Sequence, residues 1–408
     1  MNVLTISLML LLSICADALW HYIDVPSTHT ETTPVLFPIE NTTSEGNVCG
    51  PIRIIDKGTL PMPEGVSSAH ASTLTALQDS PSLPRAPYSL AAFWFAGSHE
   101  SAPDVFITMS LYDKVQQKWR TAQSVTTRQT LQAELGVAIR RIGNPMVWRD
   151  ASGRMHLYVV ATGFGGWAAS RVVHLREQEP FQFTAERILP LTPLVALFNT
   201  SVLVRALPQP LNDGGALLPL YFELGIKYAL ALKVGPQGEL HHVRRMSRRH
   251  DVLQPSIVTK SPTDAIAFMR SDGPAQRLAL SETHDAGAHW HDLPDAPVGN
   301  PNSSVATVQL PSGEWLVAYN PVPQGRSMLM LSQINSLNGL RKPWDSEVLQ
   351  QGQAGSEYSY PTMLVTRATD KTKSALSSYS FDVWLTYTDQ RRAIAFMCLR
   401  VQCQQVQP

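Results

Sequence analysis

A unit of apolar strand, tight turn and second apolar strand recurs through this chain roughly every 45 residues, the spacing of blades in a β-propeller. First strands are read at 71–77, 143–148, 201–205, 255–260, 304–310 and 360–366. Partner strands follow at 89–95, 156–162, 215–222, 265–270, 314–320 and 381–388. Asp150-Ala151-Ser152-Gly153, Asn212-Asp213-Gly214-Gly215, Ser271-Asp272-Gly273 and Pro311-Ser312-Gly313 supply the turn chemistry where hairpins should close. A lone hairpin cannot bury both of its faces, but a closed ring of such units can. The stretch 131–139 is the one helical candidate. The fold class expected is all-β, a six-bladed propeller over residues 49–408.

The bulk numbers agree with one large unit. Of 408 residues, 44% are hydrophobic and 16% charged, enough to bury an extended core. Lys+Arg and Asp+Glu stand at 33 each, which argues against nucleic acid or an anionic membrane as partner. The apolar run from Val3 to Cys15, followed by Ala16-Asp17-Ala18, reads as a secretory signal over 1–18, with an uncleaved anchor as the alternative. A Thr-, Ser- and Pro-rich linker follows at 19–48. No other segment reaches the ~18 apolar residues that span a bilayer. The mature chain is therefore expected to be secreted or periplasmic, monomeric and without stable membrane insertion.

Signal removal leaves Cys49, Cys398 and Cys403, the arithmetic of one disulfide and one spare thiol in an oxidising compartment. Cys49 precedes an alternating apolar segment, and the other two flank the last strand-like run. The N-terminal strand is expected to join the final blade, with Cys49 paired to Cys398 or Cys403. No histidine–carboxylate cluster has metal-ligand spacing, and no cofactor motif is present, so neither is expected.

Thr283-His284-Asp285-Ala286-Gly287-Ala288-His289-Trp290 fits the S/T-x-D-x-G-x-x-W turn known as an Asp-box. Asp285 can fold onto nearby backbone N–H groups, Gly287 can take positive φ, and Trp290 can plug the gap between strands. Around it, Ser68-Ala69-His70-Ala71-Ser72-Thr73, Gly143-Asn144-Pro145, Gln254-Pro255-Ser256, Asn300-Pro301-Asn302-Ser303, Tyr319-Asn320-Pro321 with Arg326, and Glu357-Tyr358-Ser359-Tyr360-Pro361 keep a consistent order. Over residues 66–396 the chain resembles the bacterial sialidase/neuraminidase-like family with BNR repeats. The resemblance implies a sialidase-type six-bladed propeller and an exo-glycosidase acting on terminal acidic sugars.

Sialidases clamp the substrate carboxylate with three arginines, attack with a tyrosine relieved by a glutamate, and use an aspartate as acid/base. The resemblance places Arg270 and Arg326 in the clamp, Tyr358 as nucleophile and Asp104 as proton donor. Tyr358 and Tyr360 share one face if their segment is a regular strand, whereas a bend before Pro361 would separate them; Tyr358 is taken as the channel residue. Two positions depart from the family pattern. His70 stands where the first arginine belongs, and Gln254 stands where the glutamate belongs; Gln can orient a phenol but cannot take its proton. Glu223, with Glu357 as a rival, is the candidate replacement carboxylate. Asn144 and Asn302, beside Asn-Pro turns, are candidates for bonding sugar hydroxyls, against the commoner turn-forming role. Trp94, Trp148 and Trp167 are candidate stacking platforms or core residues.

The leading expectation is thus an exported exo-glycosidase for an acidic oligosaccharide or glycoconjugate. The departures at His70 and Gln254 keep two alternatives open: a non-catalytic glycan-binding propeller, and a lyase cutting uronic-acid glycans with His70 and Tyr358.

Overall fold

In the computed structural model, the described residues are 47–79, 83–191, 201–322, 324–368 and 378–405, with a few positions of the apolar N-terminal run. The segments read as signal and linker lie almost wholly outside them. No helix among the described residues is long and apolar enough to cross a membrane.

Six antiparallel sheets of four or five strands succeed one another along the chain. Their first strands are Ser68–Ala76, Arg141–Arg149, Val202–Val204, Val252–Thr259, Ala306–Gln309 and Tyr358–Arg367. They fall within a few residues of the periodicity reading. We number the blades I to VI in this order. The expected helix forms a few residues early, as Arg128–Leu135, because Thr127 caps its N-terminus and Gly136 stops it in the left-handed conformation.

The core explains why the strands read as nearly continuous apolar runs. Successive side chains point to opposite faces, and each blade has a neighbour on both. Phe93 and Phe95 pack with Val147 and Leu157 between blades I and II, while Ala92 and Trp94 pack with Trp384 and Phe396 between blades VI and I. Met146 and Trp148 enter the layer between blades II and III. Three further apolar layers fill the remaining gaps, one for each adjoining pair. Trp94 and Trp148 are buried in these layers and present no face to a sugar.

The ring is closed by strands distant in sequence. Asn47–Cys49 and Arg53–Thr59 both pair with the last strand, Ala393–Gln405, so the chain's start completes blade VI. Cys49 is bonded to Cys403 across 354 residues, and Cys398 is a buried free thiol. Such a crosslink restricts the unfolded chain over nearly its full length. Replacing Cys49 by Ser is expected to lower stability by about 2–5 kcal/mol, read as a drop in the denaturation midpoint without a change of fold.

The segment Thr283 to Trp290 forms the hairpin between Ala279–Thr283 and His291–Leu293 at the edge of blade IV. Asp285 accepts from the His289 amide at 2.8 Å and from the Thr283 hydroxyl at 2.9 Å. Gly287 sits at φ 90°, where a side chain would be strained and would meet Leu217. Trp290 donates its indole N–H to the Gly287 carbonyl at 3.1 Å. This hairpin lies on outer strands and contributes nothing to the centre of the ring.

Candidate functional site

Each first strand starts, and each second strand ends, at the same end of the ring. Polar residues at those two kinds of position therefore gather on one face around the axis. A left-handed residue marks this end of every blade: Ala71, Asn144, Ser201, Gln254, Asn302 and Tyr360 all have φ between 31° and 65°. In blades I, II, IV and VI that residue lies within a β-bulge, between His70 and Thr73, Gly143 and Pro145, Leu253 and Ser256, and Ser359 and Thr362. A bulge breaks the strict alternation of faces and re-aims a side chain. Non-glycine residues held at positive φ cost roughly 1–3 kcal/mol each and collect at functional sites.

One hydrogen-bonded network joins the blades here. Arg270 donates from Nε to Asn302 Oδ1 at 2.5 Å, and from Nη1 to Gln254 Oε1 at 3.0 Å and Tyr360 Oη at 3.3 Å. Gln254 Nε2 donates to Tyr221 Oη at 3.2 Å and to Tyr360 Oη at 3.5 Å. Asn144 Nδ2 reaches Tyr221 Oη at 3.5 Å. Asn302 donates to Asp272, which pairs with Lys227. Arg326 donates to the Asn302 carbonyl at 2.9 Å and to Glu357 Oε1 at 3.0 Å, with its guanidinium 5.5 Å from the Tyr360 ring centre. Arg391 binds Glu357 at 2.7 Å and also Glu100. All six blades contribute: Glu100, Asn144, Tyr221, Gln254 and Arg270, Asn302 and Arg326, and Glu357, Tyr360 and Arg391, with His70 of blade I packed on the Tyr360 ring.

Tyr360, and not Tyr358, occupies the centre. Tyr358 faces the apolar layer between blades V and VI, packing on Tyr387, with its hydroxyl close to Gly352. The bulge between Ser359 and Thr362 turns Tyr360 the other way, against Arg270, Gln254, His70 and Arg326. Burial raises the Tyr360 phenol, but the Arg270 and Arg326 charges and the Gln254 amide outweigh it, and the net direction is below the usual tyrosine value. Two donors already point at its oxygen, so its own proton must be given outward or surrendered. Burial, with Glu223 and Tyr360 adding to it, holds the neighbouring Tyr221 phenol well above its usual value, and this group stays protonated.

Asp104 does not join the network. Its carboxylate accepts from the Ser98 amide at 3.0 Å and the Ser98 hydroxyl at 2.9 Å, closing the exposed turn after Gly97. Burial raises its carboxyl, but the Ser98 bonds and the other lowering contacts together prevail and hold it below the ordinary value, which makes it a poor proton donor. Glu223 has the opposite balance. At the end of Ala216–Leu224, it is raised by burial despite the opposing charges of Arg270 and Lys227.

His70 is 1% exposed and neither ring nitrogen has a partner; its ring centre lies 4.2 Å from that of Tyr360. Burial, then Arg391, Arg205 and Arg326, lower its pKa well below the usual histidine value against the pull of Glu357. It is therefore neutral near pH 7 and does not replace the first arginine as a cation. Arg391, which enters through the turn before Ala393–Gln405, brings a third guanidinium to this face, paired with Glu357.

Glu357 lies between Arg326 and Arg391 and also accepts from Ser359 at 2.7 Å. Burial raises its carboxyl, but Arg391, Ser359 and Arg326 together bring it down to about 2. A depressed carboxyl contributes stability that is complete above its ordinary value and lost as pH falls toward the folded one. The wild-type protein is expected to lose thermal stability from about pH 4.5 downward, and Glu357→Gln to lose less over that range. Equal slopes in a melting series would rule out this pairing.

Trp167 donates to Ser101 at 2.9 Å and lies against Gly143 beside Asn144, at the rim of this face. No group of three or more His, Cys, Asp or Glu among the described residues is placed to hold a metal ion.

A ring of six four- to five-stranded blades with one polar hub at the strand starts defines a sialidase-like propeller. The sequence signature of the BNR repeat-like domain matches residues 88–371, well over half the chain, and the chain belongs to that family. No curated protein matches it at sequence level. Among solved structures, a protein of unknown function from Dyadobacter fermentans is similar at TM-score 0.61 and 12% identity, covering 85% of this chain and 98% of that one. The NanB sialidase of Streptococcus pneumoniae is similar at TM-score 0.53 and 10% identity, covering 88% and 71%. A Penicillium chrysogenum α-L-arabinanase complexed with arabinobiose is similar at TM-score 0.56 and 11% identity, covering 85% and 98%. At these identities the likeness is one of fold.

Proposed function

We propose that this propeller is a glycoside hydrolase that grips the carboxylate of a terminal acidic sugar, sialic acid or a related one, and cleaves its glycosidic bond. The observation that carries this reading is the convergence of Arg270 and Arg326 on Tyr360 at the hub. Guanidinium forks bind carboxylates bidentately and selectively. A tyrosine suits an anomeric carbon that bears a carboxylate, because a carboxylate nucleophile would be repelled by it. In this scheme Tyr360 attacks the anomeric carbon, with its phenolate stabilised by Arg270 and Gln254. Glu223, raised by burial, delivers the proton to the departing oxygen; water then attacks the anomeric carbon, gives a proton to Glu223 and breaks the bond to Tyr360, freeing the sugar. Asn144 and Asn302 stand ready to bond sugar hydroxyls. The fold similarity to a sialidase and an arabinanase supports a glycan ligand, while the reaction rests on the site's own chemistry. The Cys49–Cys403 bond supports export to an oxidising compartment.

One observation favours a second reading. The uncharged, unpartnered His70 beside Tyr360 supports reading the two as base and acid for β-elimination on a uronic acid. His70 would take the proton α to the carboxylate, the β carbon–oxygen bond would break, and Tyr360 would protonate the leaving oxygen. Product analysis on sialylated and uronic-acid glycans separates the readings. Hydrolysis releases a free acidic sugar, elimination gives an unsaturated sugar that absorbs in the ultraviolet, and bound glycan with no product leaves a lectin. Loss of either product in Arg326→Ala ties it to the hub.

A further inference from the structure

Like Arg270, Arg205 forms no ion pair with a carboxylate among the described residues; the charges that favour its cation are those of Tyr360 and Tyr221. Arg205 follows the first strand of blade III, Val202–Val204, and is 1% exposed. Its side chain spans the axis to blades I and VI. Nη1 donates to the Ser72 carbonyl at 3.0 Å and the Thr362 hydroxyl at 3.2 Å, and Nη2 donates to the Pro361 carbonyl at 2.9 Å. Thr362 in turn donates to the same Ser72 carbonyl at 2.7 Å. Nε has no partner at all. The next residue, Ala206, lines a largely apolar cavity of about 250 Å³ with Leu74, Val147, Ile257 and Met363 among others, and so do Pro361 and Thr362, which Arg205 bonds. Burial brings the guanidinium itself down to about 10, against the pull of Tyr360 and Tyr221.

The acceptors Arg205 binds are not arbitrary. Ser72 and Pro361 each follow a left-handed residue, Ala71 and Tyr360, within the bulges that aim His70 and Tyr360 at the axis. The guanidinium lies 4.9 Å from the centre of the Tyr360 ring. A buried cation with no carboxylate beside it is costly, and its place here calls for a return in function. We propose that Arg205 is the positioning residue of the hub: it fixes the two bulges that present Tyr360 and His70, and its charge favours the deprotonated form of both. The inference rests on Tyr360 being the reactive group.

The sign follows from charge alone. A cation near a phenol favours the phenolate, and a cation near an imidazole disfavours the imidazolium. Tyr360 also faces Arg270, Arg326, Gln254, Tyr221 and His70, and feels Glu100. His70 faces Tyr360 and feels Arg391, Glu357 and Arg326 as well as Arg205. Arg205 adds its charge to the arginines acting on His70, and its guanidinium lies over the Tyr360 ring.

The test needs no substrate, so it stands apart from the hydrolase reading. Tyrosine labelled with carbon-13 at Cζ reports phenol ionisation by NMR, and the Tyr360 signal is identified by its absence in Tyr360→Phe. In Arg205→Met the Tyr360 titration midpoint is expected to rise by about one unit, while in Arg205→Lys it stays near the wild-type value because the charge remains. A midpoint unchanged in Arg205→Met, or raised equally in both variants, would overturn the proposal, since packing alone would then explain Arg205. Should Arg205→Met fail to fold, Arg205→Gln, which can still donate to the Ser72 or Pro361 carbonyl, provides the same uncharged comparison.

Discussion

Replacing Tyr360 by Phe is expected to abolish turnover while leaving the fold and glycan binding in place. The substitution removes one oxygen, the atom on which Arg270 and Gln254 converge at 3.3 and 3.5 Å. If that oxygen attacks or stabilises the reacting carbon, kcat should fall on the order of 10³-fold with little change in KM. Tyr358→Phe is the matched control. Its ring packs between blades V and VI, and activity should change by less than about threefold. Steady-state rates for the two variants, measured beside their melting curves, decide the point. A large loss in Tyr358→Phe with Tyr360→Phe unaffected would return the role to the other tyrosine.

The second large effect is expected from Arg270→Ala. Arg270 is the most connected side chain of the hub, bonded at once to Asn302, Gln254 and Tyr360. Removing it takes away one arm of the carboxylate clamp and one of the two donors on Tyr360. Truncating one partner of a buried, hydrogen-bonded charge pair costs about 2–5 kcal/mol, so affinity for an acidic ligand should fall at least thirtyfold. The Tyr360 phenol should also become harder to ionise, because the first of the charges that lower it is gone. Arg270→Lys should rescue little, since an ammonium cannot serve three acceptors in one plane. Binding titrations and the tyrosine ionisation curve read the two consequences separately.

The contrast between the tyrosines shows what the sequence could and could not convey. Blade positions were legible because every strand is sandwiched between neighbours, and apolar runs bounded by Gly, Asp and Pro turns register that burial directly. Arg270, Arg326, Gln254, Asn144 and Asn302 were legible through their places at strand ends or beside prolines, and the structure gathers all of them. A bend before Pro361 separates two tyrosines that regular alternation would set on one face, and Tyr358 was the choice for the channel. The bulge overrides that choice, and a signal was present: Asn144-Pro145, Gln254-Pro255 and Tyr360-Pro361 share the pattern of a left-handed residue before proline, and all three side chains reach the hub. Asp104 was read as an acid on its place in a loop, but Ser98 six residues earlier already satisfies it. Arg391 and Arg205 carried no local signal. One sits in a charged hairpin turn like many others, and the other ends a short apolar strand; only ring closure brings them to the axis. His70 was located correctly, but its charge state depends on Arg391, Arg205 and Arg326 from other blades, which no local pattern encodes.

The central claim is that the hub recognises a sugar carboxylate. The most direct measurement is a thermodynamic cycle that pairs an acidic sugar and its carboxyl-reduced alcohol with wild-type protein and Arg270→Ala, by calorimetry. Wild type is expected to prefer the acid at least thirtyfold and the variant to lose most of that preference, a coupling of about 2 kcal/mol between the carboxylate and Arg270. Equal affinity of the wild type for acid and alcohol would contradict the account, whatever the protein then proved to bind.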